Sequence, residues 1–256
     1  MDIRKELLFV DLTARMALRA DASMFLLGYV WWVLEPLLFV AVFYLVFGVI
    51  LDSPRGDLLS FLVLGKLPFQ WFSGSLNSSS TSITQASALI AQTPIPKALL
   101  VLSRIQQSTY KQVAVFVLLG VYLAVTGESI TVNWLWVPAI AAVQYLLIVA
   151  ASLLGAVLVC VARDFSKLIQ LFTIAMMFGS GIFWDVRALD HETQWWVMTL
   201  NPLAYLLDAY RQVLLYDGVF DVSKLLLFGG FFAGLSALIM TWIRRHETWL
   251  ALRVLS

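Results

Sequence analysis

Two ionisable side chains stand where the surrounding sequence is apolar. Glu35 lies in the run from Val30 to Leu51, and Lys66 in the run from Leu58 to Ser80. A charge inside a lipid-embedded segment is costly to hold and marks a pathway or a partner. The long stem of Lys66 can carry its ammonium toward an interface, whereas Glu35 is too short to reach far. At a rise of about 1.5 Å per residue they lie roughly 8 and 12 Å deep, counted from opposite faces. In a core about 30 Å thick this leaves roughly 10 Å between them, which argues against a direct ion pair within one chain.

Other reactive constellations are missing. Gly65-Lys66 lacks the upstream glycine and following hydroxyl of a phosphate-binding loop, so the chain carries no nucleotide site of that type. His191 and His246 fall on opposite sides of the predicted membrane and cannot share a metal. No serine sits in G-x-S-x-G, and acidic pairs do not recur deep in the apolar runs, which argues against a proton-coupled pump. Cys160, the sole cysteine, sits in an apolar stretch and reads as a buried thiol. These absences exclude a catalytic residue, a bound cofactor or a metal as expectations for this chain.

The elements that position Glu35 and Lys66 follow from composition. Hydrophobic residues make up 61% of the 256 and charged ones 13%, against about 45–50% and 25% in soluble domains. The chain therefore reads as an all-α integral membrane protein. A net charge of +1 gives no reason to expect nucleic acid. The acidic and basic residues from Asp2 to Arg15 interrupt any signal-peptide core. Crossing the hydrocarbon core takes about 20 apolar residues. Six spans are predicted, over about 30–51, 58–80, 99–126, 134–161, 167–184 and 224–243. The second is the weakest, because it holds Lys66, Pro68 and a run of hydroxyl and small residues. That composition suits a helix packed among other helices. With a cytoplasmic N-terminus, twelve of the 17 Lys and Arg fall on the inner side and five, Arg55, Lys66, Arg187, Arg211 and Lys224, on the other. Both termini are thus expected in the cytoplasm, and Trp134 and Trp136 at the outer interface.

Three segments lie outside the spans. Residues 1–22 read as an amphipathic helix at the membrane surface, ahead of a transmembrane domain over 23–256. Its Arg4, Asp11, Arg15 and Arg19 share one side, and Ile3, Leu7, Val10, Ala14 and Ala17 the other. It is either a simple anchor or also a contact for a cytoplasmic partner. Between spans two and three, Leu89-Ile90-Ala91-Gln92-Thr93-Pro94-Ile95-Pro96-Lys97 places two prolines after an apolar turn. That is either a short projecting helix over about 86–92 or an ordinary proline-punctuated loop. The outer segment over about 185–222 is too long for a plain connection and too apolar for disorder. Trp195, Trp196 and their neighbours, and the stretch from Tyr205 to Leu215, read as two short helices separated by Asn201-Pro202. Such non-spanning backbone must be covered by protein or line a wet cavity, which makes the segment a candidate gate.

With these residues in view, the chain resembles the membrane subunit of ABC-2-type exporters of bacterial surface polysaccharide, over nearly its full length. Leu27-Gly28 … Trp31 … Pro36 is similar to the family's LGxxWxxxxP entry to the first span. The segment from Gly65 to Phe72 is similar to G-L-x-P-W/F-x-x-F, with Lys66 where an apolar residue is usual. The stretch Leu89 to Pro96 resembles the coupling-helix region, and Arg163-Asp164-Phe165 the R-D-[FIV] turn. Ser180-Gly181-Ile182-Phe183 is similar to S-P-I-F, with glycine in place of proline. Asn201-Pro202-Leu203 … Tyr205 … Arg211 resembles the N-P-L … R outer segment.

The resemblance implies a homodimer joined to two copies of a cytoplasmic ATPase, with ATP and Mg entering only through that partner. It implies a channel at the dimer interface, in the bacterial inner membrane, for a lipid-linked O-antigen or capsular glycan. Leu89, Ile90, Gln92, Pro94, Pro96 and Lys97, with Arg15 and Arg19 of the surface helix, would then couple to the ATPase. Sugar rings stack on aromatic faces, so Phe39, Phe43, Tyr44, Phe47, Trp71, Phe72, Phe183 and Trp184 are the expected channel lining. Trp195, Trp196, Asn201, Pro202, Tyr205 and Arg211 would form the periplasmic gate. Glu35 is expected at the inner mouth of the channel. A teichoic-acid exporter and a small-molecule or drug exporter of the same fold are alternatives. A membrane-bound glycosyltransferase would need an acidic cluster that the sequence lacks.

Overall fold

A computed structural model describes residues 3–24, 28–50, 57–93, 95–125 and 131–255. Among these residues the chain is all-helical. Helix α1 covers Ile3–Met24, α2 Trp31–Tyr44, α3 Leu58–Ser80, α4 Ser82–Gln85 and α5 Ser87–Gln92. They are followed by α6 at Lys97–Val125, α7 at Val137–Val161 and α8 at Phe165–Gly179. The chain ends with α9 at His191–Leu200, α10 at Pro202–Leu214, α11 at Val222–Arg245 and α12 at Glu247–Leu255. A π-helical segment, Leu45–Ile50, prolongs α2, and a 3-10 turn, Val132–Trp136, leads into α7.

By length and apolarity three helical stretches can cross a membrane: Lys97–Val125, Val132–Val161 and Val222–Arg245. Leu37–Ile50 and Phe165–Gly179 are apolar but shorter. Helix α3 is long enough at 23 residues, but Lys66, Pro68 and its serines lower its apolarity. It is the central post of the bundle, packed against α2, α6, α7, α8 and α10. Its small residues permit that closeness: Gly155 of α7 leaves room for Leu76 and Ser80 of α3. Pro68 inside α3 removes one backbone donor. Two buried amides bind carbonyls at the same turn: Gln144 Nε2 donates to Pro68 O at 2.7 Å and Gln112 Nε2 to Leu67 O at 3.3 Å.

The two ends of the bundle are distinct. At one end α1 lies along α6, Arg244 of α11 pairs with Glu6 at 2.6 Å, and α12 packs on α5 and α7. Both chain termini therefore share an end. At the other end lie the turn before α7, α9, α10 and the start of α11. There Trp136 meets Phe220 edge-on at 5.5 Å, and Tyr205 Oη donates to Asp221 O at 2.6 Å. Helices α9, α10 and α11 each begin there with a side-chain cap, the cheapest way to satisfy first-turn N–H groups. Asp190 accepts from Thr193 N, Asn201 from Leu203 N and Ala204 N, and Asp221 from Lys224 N. Pro202 occupies the first turn of α10, where its missing N–H costs nothing.

Helix α10, at about 1.5 Å per residue, is too short to span, yet every residue from Leu203 to Leu214 is buried. It is an internal plug, walled by α3, α7 and α9. Along α1 the apolar residues divide between two environments. Ala14 is buried, but Leu7 is exposed together with Leu8, Leu12 and Met16. The helix buries a narrow stripe against α6 and leaves a separate apolar stripe uncovered, as a helix seated in a lipid surface requires.

Candidate functional site

Three helices, α2, α3 and α6, and the end of α1 line an open-sided cavity of about 810 Å³. Glu35 and Lys66 both line it. Among the described residues no ion pair joins them, in keeping with the depth argument. The Lys66 ammonium lies 3.6 Å from the centroid of the Phe39 ring. This cation–π contact holds a charge that no carboxylate neutralises directly. Glu35 is exposed toward the cavity.

At the end of the cavity nearest the chain termini the wall is polar. Asp21 of α1 accepts from Lys111 Nζ and from Gln107 Nε2, each at 2.7 Å. Arg104 donates to Gln107 at 3.2 Å, and the Lys111 ammonium lies 5.1 Å from the Trp32 ring. Further along α1, Asp11 accepts from Tyr110 Oη and from Arg15 Nε. The Tyr110 hydroxyl, with Arg15 beside it, holds the Asp11 carboxyl below the usual carboxylate range. These bonds fix α1 to α6 and so fix the mouth.

Deeper in, Phe39 and Phe43 line the wall, whereas the expected channel residues Tyr44, Phe47, Phe183 and Trp184 do not border this cavity. Phe39 and Phe43 share one face of α2, and Phe47 of the π-helical extension stacks on Phe43 at 6.0 Å. Phe43 lies 4.5 Å from Phe39 and 4.3 Å from Phe183, and Phe183 lies 5.5 Å from Phe178. A continuous ladder of rings thus joins α2 to the end of α8. Trp71 also lines the cavity, braced by Phe116 and Tyr145. Tyr44 is exposed, and Trp184 is anchored by Nε1 donating to Phe178 O at 2.8 Å. Phe72 departs from expectation. At 3% exposure it turns into the core beside Phe69, because it lies on the face of α3 that packs inward.

The outer residues divide in two. Trp195 and Trp196 are 52% and 50% exposed and meet edge-on at 4.8 Å. Asn201, Pro202, Tyr205 and Arg211 are structural fasteners. Asn201 Nδ2 donates to Gly179 O and Ser180 Oγ, both at 3.0 Å, tying α10 to the end of α8. Arg211 is 2% exposed. Its guanidinium donates to Gly181 O at 2.7 Å, Phe61 O at 3.1 Å and Ile182 O at 3.2 Å, and lies 3.4 Å from the Phe61 ring centroid. Gly65 makes that possible: a Cβ there would stand 2.4 Å from Arg211 Nη2. Gly181 has φ +72°, which the ring of proline cannot adopt. The glycine that departs from S-P-I-F is thus required by the turn that receives Arg211.

At the opposite end α5 exposes Leu89 (45%) and Gln92 but buries Ile90 (8%) and, just beyond, Lys97. Ile90 and Lys97 are therefore removed from any surface offered to a second protein. Pro96 is half-buried, Arg15 and Arg19 are exposed, and Pro94, Leu27 and Arg55 lie outside the described residues. Sequence reasoning missed α12, whose Leu250 and Val254 join the same buried cluster as Ile90. Its signal lies in the run from Glu247 to Leu255, beyond the last predicted span. Also missed was the Arg187–Asp208 pair, whose members lie 21 residues apart.

The model of the ABC-2 type transporter family matches residues 27–215. The chain belongs to that family. The match covers the aromatic ladder and runs to the last turn of α10, so this ABC-2 transporter chain carries every cavity-lining residue but Asp21 inside the matched region. Curated relatives cover most of its length. An O-antigen export system permease protein RfbA of Klebsiella pneumoniae is 26% identical over 227 residues, 88% of this chain and 86% of the relative. A Myxococcus xanthus protein of the same name is 22% identical over 201 residues, 78% and 77% of the two chains. The polysialic acid transport protein KpsM of Escherichia coli is 25% identical over 204 residues, 77% and 78%.

Proposed function

We propose that this ABC-2 chain is the channel-forming subunit of an ATP-driven exporter that moves a lipid-linked surface polysaccharide, O-antigen or capsule, across the bacterial inner membrane. The observation that carries this reading is the cavity: about 810 Å³, polar at one end and lined further in by Phe39, Phe43 and Trp71, with Phe183 stacked behind Phe43. Pyranose rings present apolar C–H faces and a hydroxyl rim, so a wall of rings with interspersed amides and hydroxyls suits them. Relatives named for O-antigen export and polysialic acid transport point the same way.

In this reading the chain spans the membrane six times, with α3 as an internal second span, and both termini lie in the cytoplasm. Two copies face each other across α2 and α8 and close the open side of each cavity into one conduit. ATP and Mg are bound by two copies of a separate cytoplasmic ATPase, seated against Leu89 and Gln92 of α5, with Arg15 and Arg19 of the surface helix as a second contact. Residues 1–22 form the interface helix and 23–256 the transmembrane domain. Helices α9 and α10 re-enter from the outer side as the gate, with Trp195 and Trp196 as its movable surface.

The decisive experiment is deletion of the gene with complementation. Loss of surface polymer with unchanged drug tolerance is expected. Intact polymer with new drug sensitivity would replace this reading with drug export, and glycosyl transfer by the purified chain alone would replace it with an enzyme.

A further inference from the structure

A second, smaller cavity of about 240 Å³ opens at the outer end, walled by α9, α10, the start of α11 and the turn at Val186–Ala188. It is separate from the cavity between α2, α3 and α6. At about 30 Å³ per water it holds roughly eight water-sized volumes, which is room for one sugar ring and not for a chain.

Its walls combine one large exposed aromatic surface with planar polar groups held in place. Trp195 stands at the rim, half-exposed, with Met198 beside it. Arg187 is locked by Asp208, with Nε donating to Oδ1 at 3.0 Å and Nη2 to Oδ2 at 2.9 Å, and its Nη2 also donates to Val219 O at 3.1 Å. Gln212 donates to the same Asp208 at 3.3 Å. This geometry leaves Nη1 of Arg187 without a partner among the described residues. The side chains of His191 and Gln194, one turn of α9 apart, line the same space and make no hydrogen bond among the described residues. Lys224 is held by Thr199 at 3.2 Å. The charges balance, with Arg187 set against Asp208 and Lys224 beside Asp221.

We infer that this outer cavity is a saccharide-binding subsite that takes a single neutral pyranose unit, stacked on Trp195 and hydrogen-bonded by Arg187, His191 and Gln194. An indole face receives the C–H face of a pyranose. A guanidinium already fixed by Asp208 can donate its remaining Nη1 to a hydroxyl with little ordering cost. The balanced charge disfavours an acidic sugar, whose carboxylate would meet Asp208 and Asp221. Because α9 supplies one wall and α10 and α11 the others, an occupied subsite holds the gate helix against its frame. The inference rests on the polysaccharide reading for its substrate class, but its test reads binding and not export.

The test uses the full chain with its ATPase in lipid nanodiscs, probed by saturation-transfer NMR with methyl α-mannopyranoside, methyl α-galactopyranoside and methyl α-rhamnopyranoside, and with glucuronate as the acidic arm. Saturation of at least one neutral glycoside, at least fivefold above glucuronate, is expected. Trp195→Ala and Gln194→Ala should each reduce it at least fivefold, while Leu226→Ala, on the exposed face of α11 and lining neither cavity, should leave it unchanged. Loss with Phe43→Ala and not with Trp195→Ala would place binding in the large cavity and overturn the inference. So would the absence of signal from every glycoside, or stronger binding of glucuronate. Export assayed in the same strains separates the two ideas: polymer on the surface with an unresponsive outer cavity removes the subsite and leaves the exporter.

Discussion

Gly65 and Arg211 sit 146 positions apart and depend on each other, and a double-mutant cycle reads that dependence. A methyl at Gly65 would lie 2.4 Å from Nη2 of Arg211. The guanidinium cannot swing aside freely, because three carbonyls and the Phe61 ring hold it. Moving Nη2 away weakens its bonds to Phe61 O and Ile182 O. A hydrogen bond to a charged group contributes about 1.5–3 kcal/mol, so losing one exceeds the roughly 1 kcal/mol that alanine gains over glycine in a helix interior. Gly65→Ala should therefore destabilise the native chain by about 1–2 kcal/mol. In an Arg211→Met background the same change should be near neutral, since the remaining close neighbour, Ile182 Cα at 3.3 Å, demands only a small adjustment. The coupling is then about 1–2 kcal/mol, well above the roughly 0.5 kcal/mol expected of independent sites. At about 2–4 °C per kcal/mol, thermal unfolding in detergent, followed by tryptophan fluorescence, should show Gly65→Ala lowering Tm by roughly 2–8 °C in the native background and by about 2 °C or less in Arg211→Met. Arg211→Lys, which withdraws Nη2 but keeps the charge, provides a second background. Equal falls in all three backgrounds would refute the contact.

Replacing Leu89 by glutamate should leave the fold intact and lower ATPase stimulation by the permease severalfold, whereas Ile90→Asp should also lower Tm because Ile90 is buried; co-purification with the ATPase and turnover measurements separate the two. Phe43→Ala removes the rung that contacts both Phe39 and Phe183, with aromatic pairs contributing about 0.5–1.5 kcal/mol each, and surface polymer should fall while the ATPase still binds; unchanged polymer would take the ladder out of the conduit. The Asp190 carboxyl is held below its ordinary value of 3.8 by the Thr193 N–H and hydroxyl. Its lowered value means that its capping contribution is complete above about pH 4 and is lost only as pH falls through that lower value. Hydrogen exchange at the start of α9 should therefore show no opening transition between pH 7 and pH 4.5, and an opening with a midpoint near pH 6 would show that the cap is not a carboxylate.

What the sequence reveals and what it conceals divide along a physical line. Helix α3 is predicted over 58–80 and spans those residues, because hydrophobic length and turn residues are local properties. The same locality exposes the helical pair around Asn201-Pro202, since a cap and a first-turn proline act within a few residues. The face that each side chain presents depends on partners far along the chain. Phe72 and Trp71 are adjacent and chemically alike, yet only Trp71 reaches the cavity, because Phe72 shares the face of α3 on which Gly65 meets Arg211 and Leu76 meets Gly155 of α7. Arg211 illustrates the limit most sharply. In sequence it is one more outer arginine, counted on the solvent side with Lys224. In the fold its charge is drawn inward by Phe61, Gly181 and Ile182, and it welds α10 to α3 and to the turn after α8. A glycine at 65 and a left-handed glycine at 181 are the local traces of that long-range fact, and they become legible only once Arg211 stands between them. A gate that includes α10 therefore cannot open by moving α10 alone: either Arg211 leaves its three carbonyls, or α3, the end of α8 and α10 move as one body while α9, joined to α10 through Asn201, swings over them. The exposed tryptophans on α9 and the burial of every residue from Leu203 to Leu214 favour the second motion.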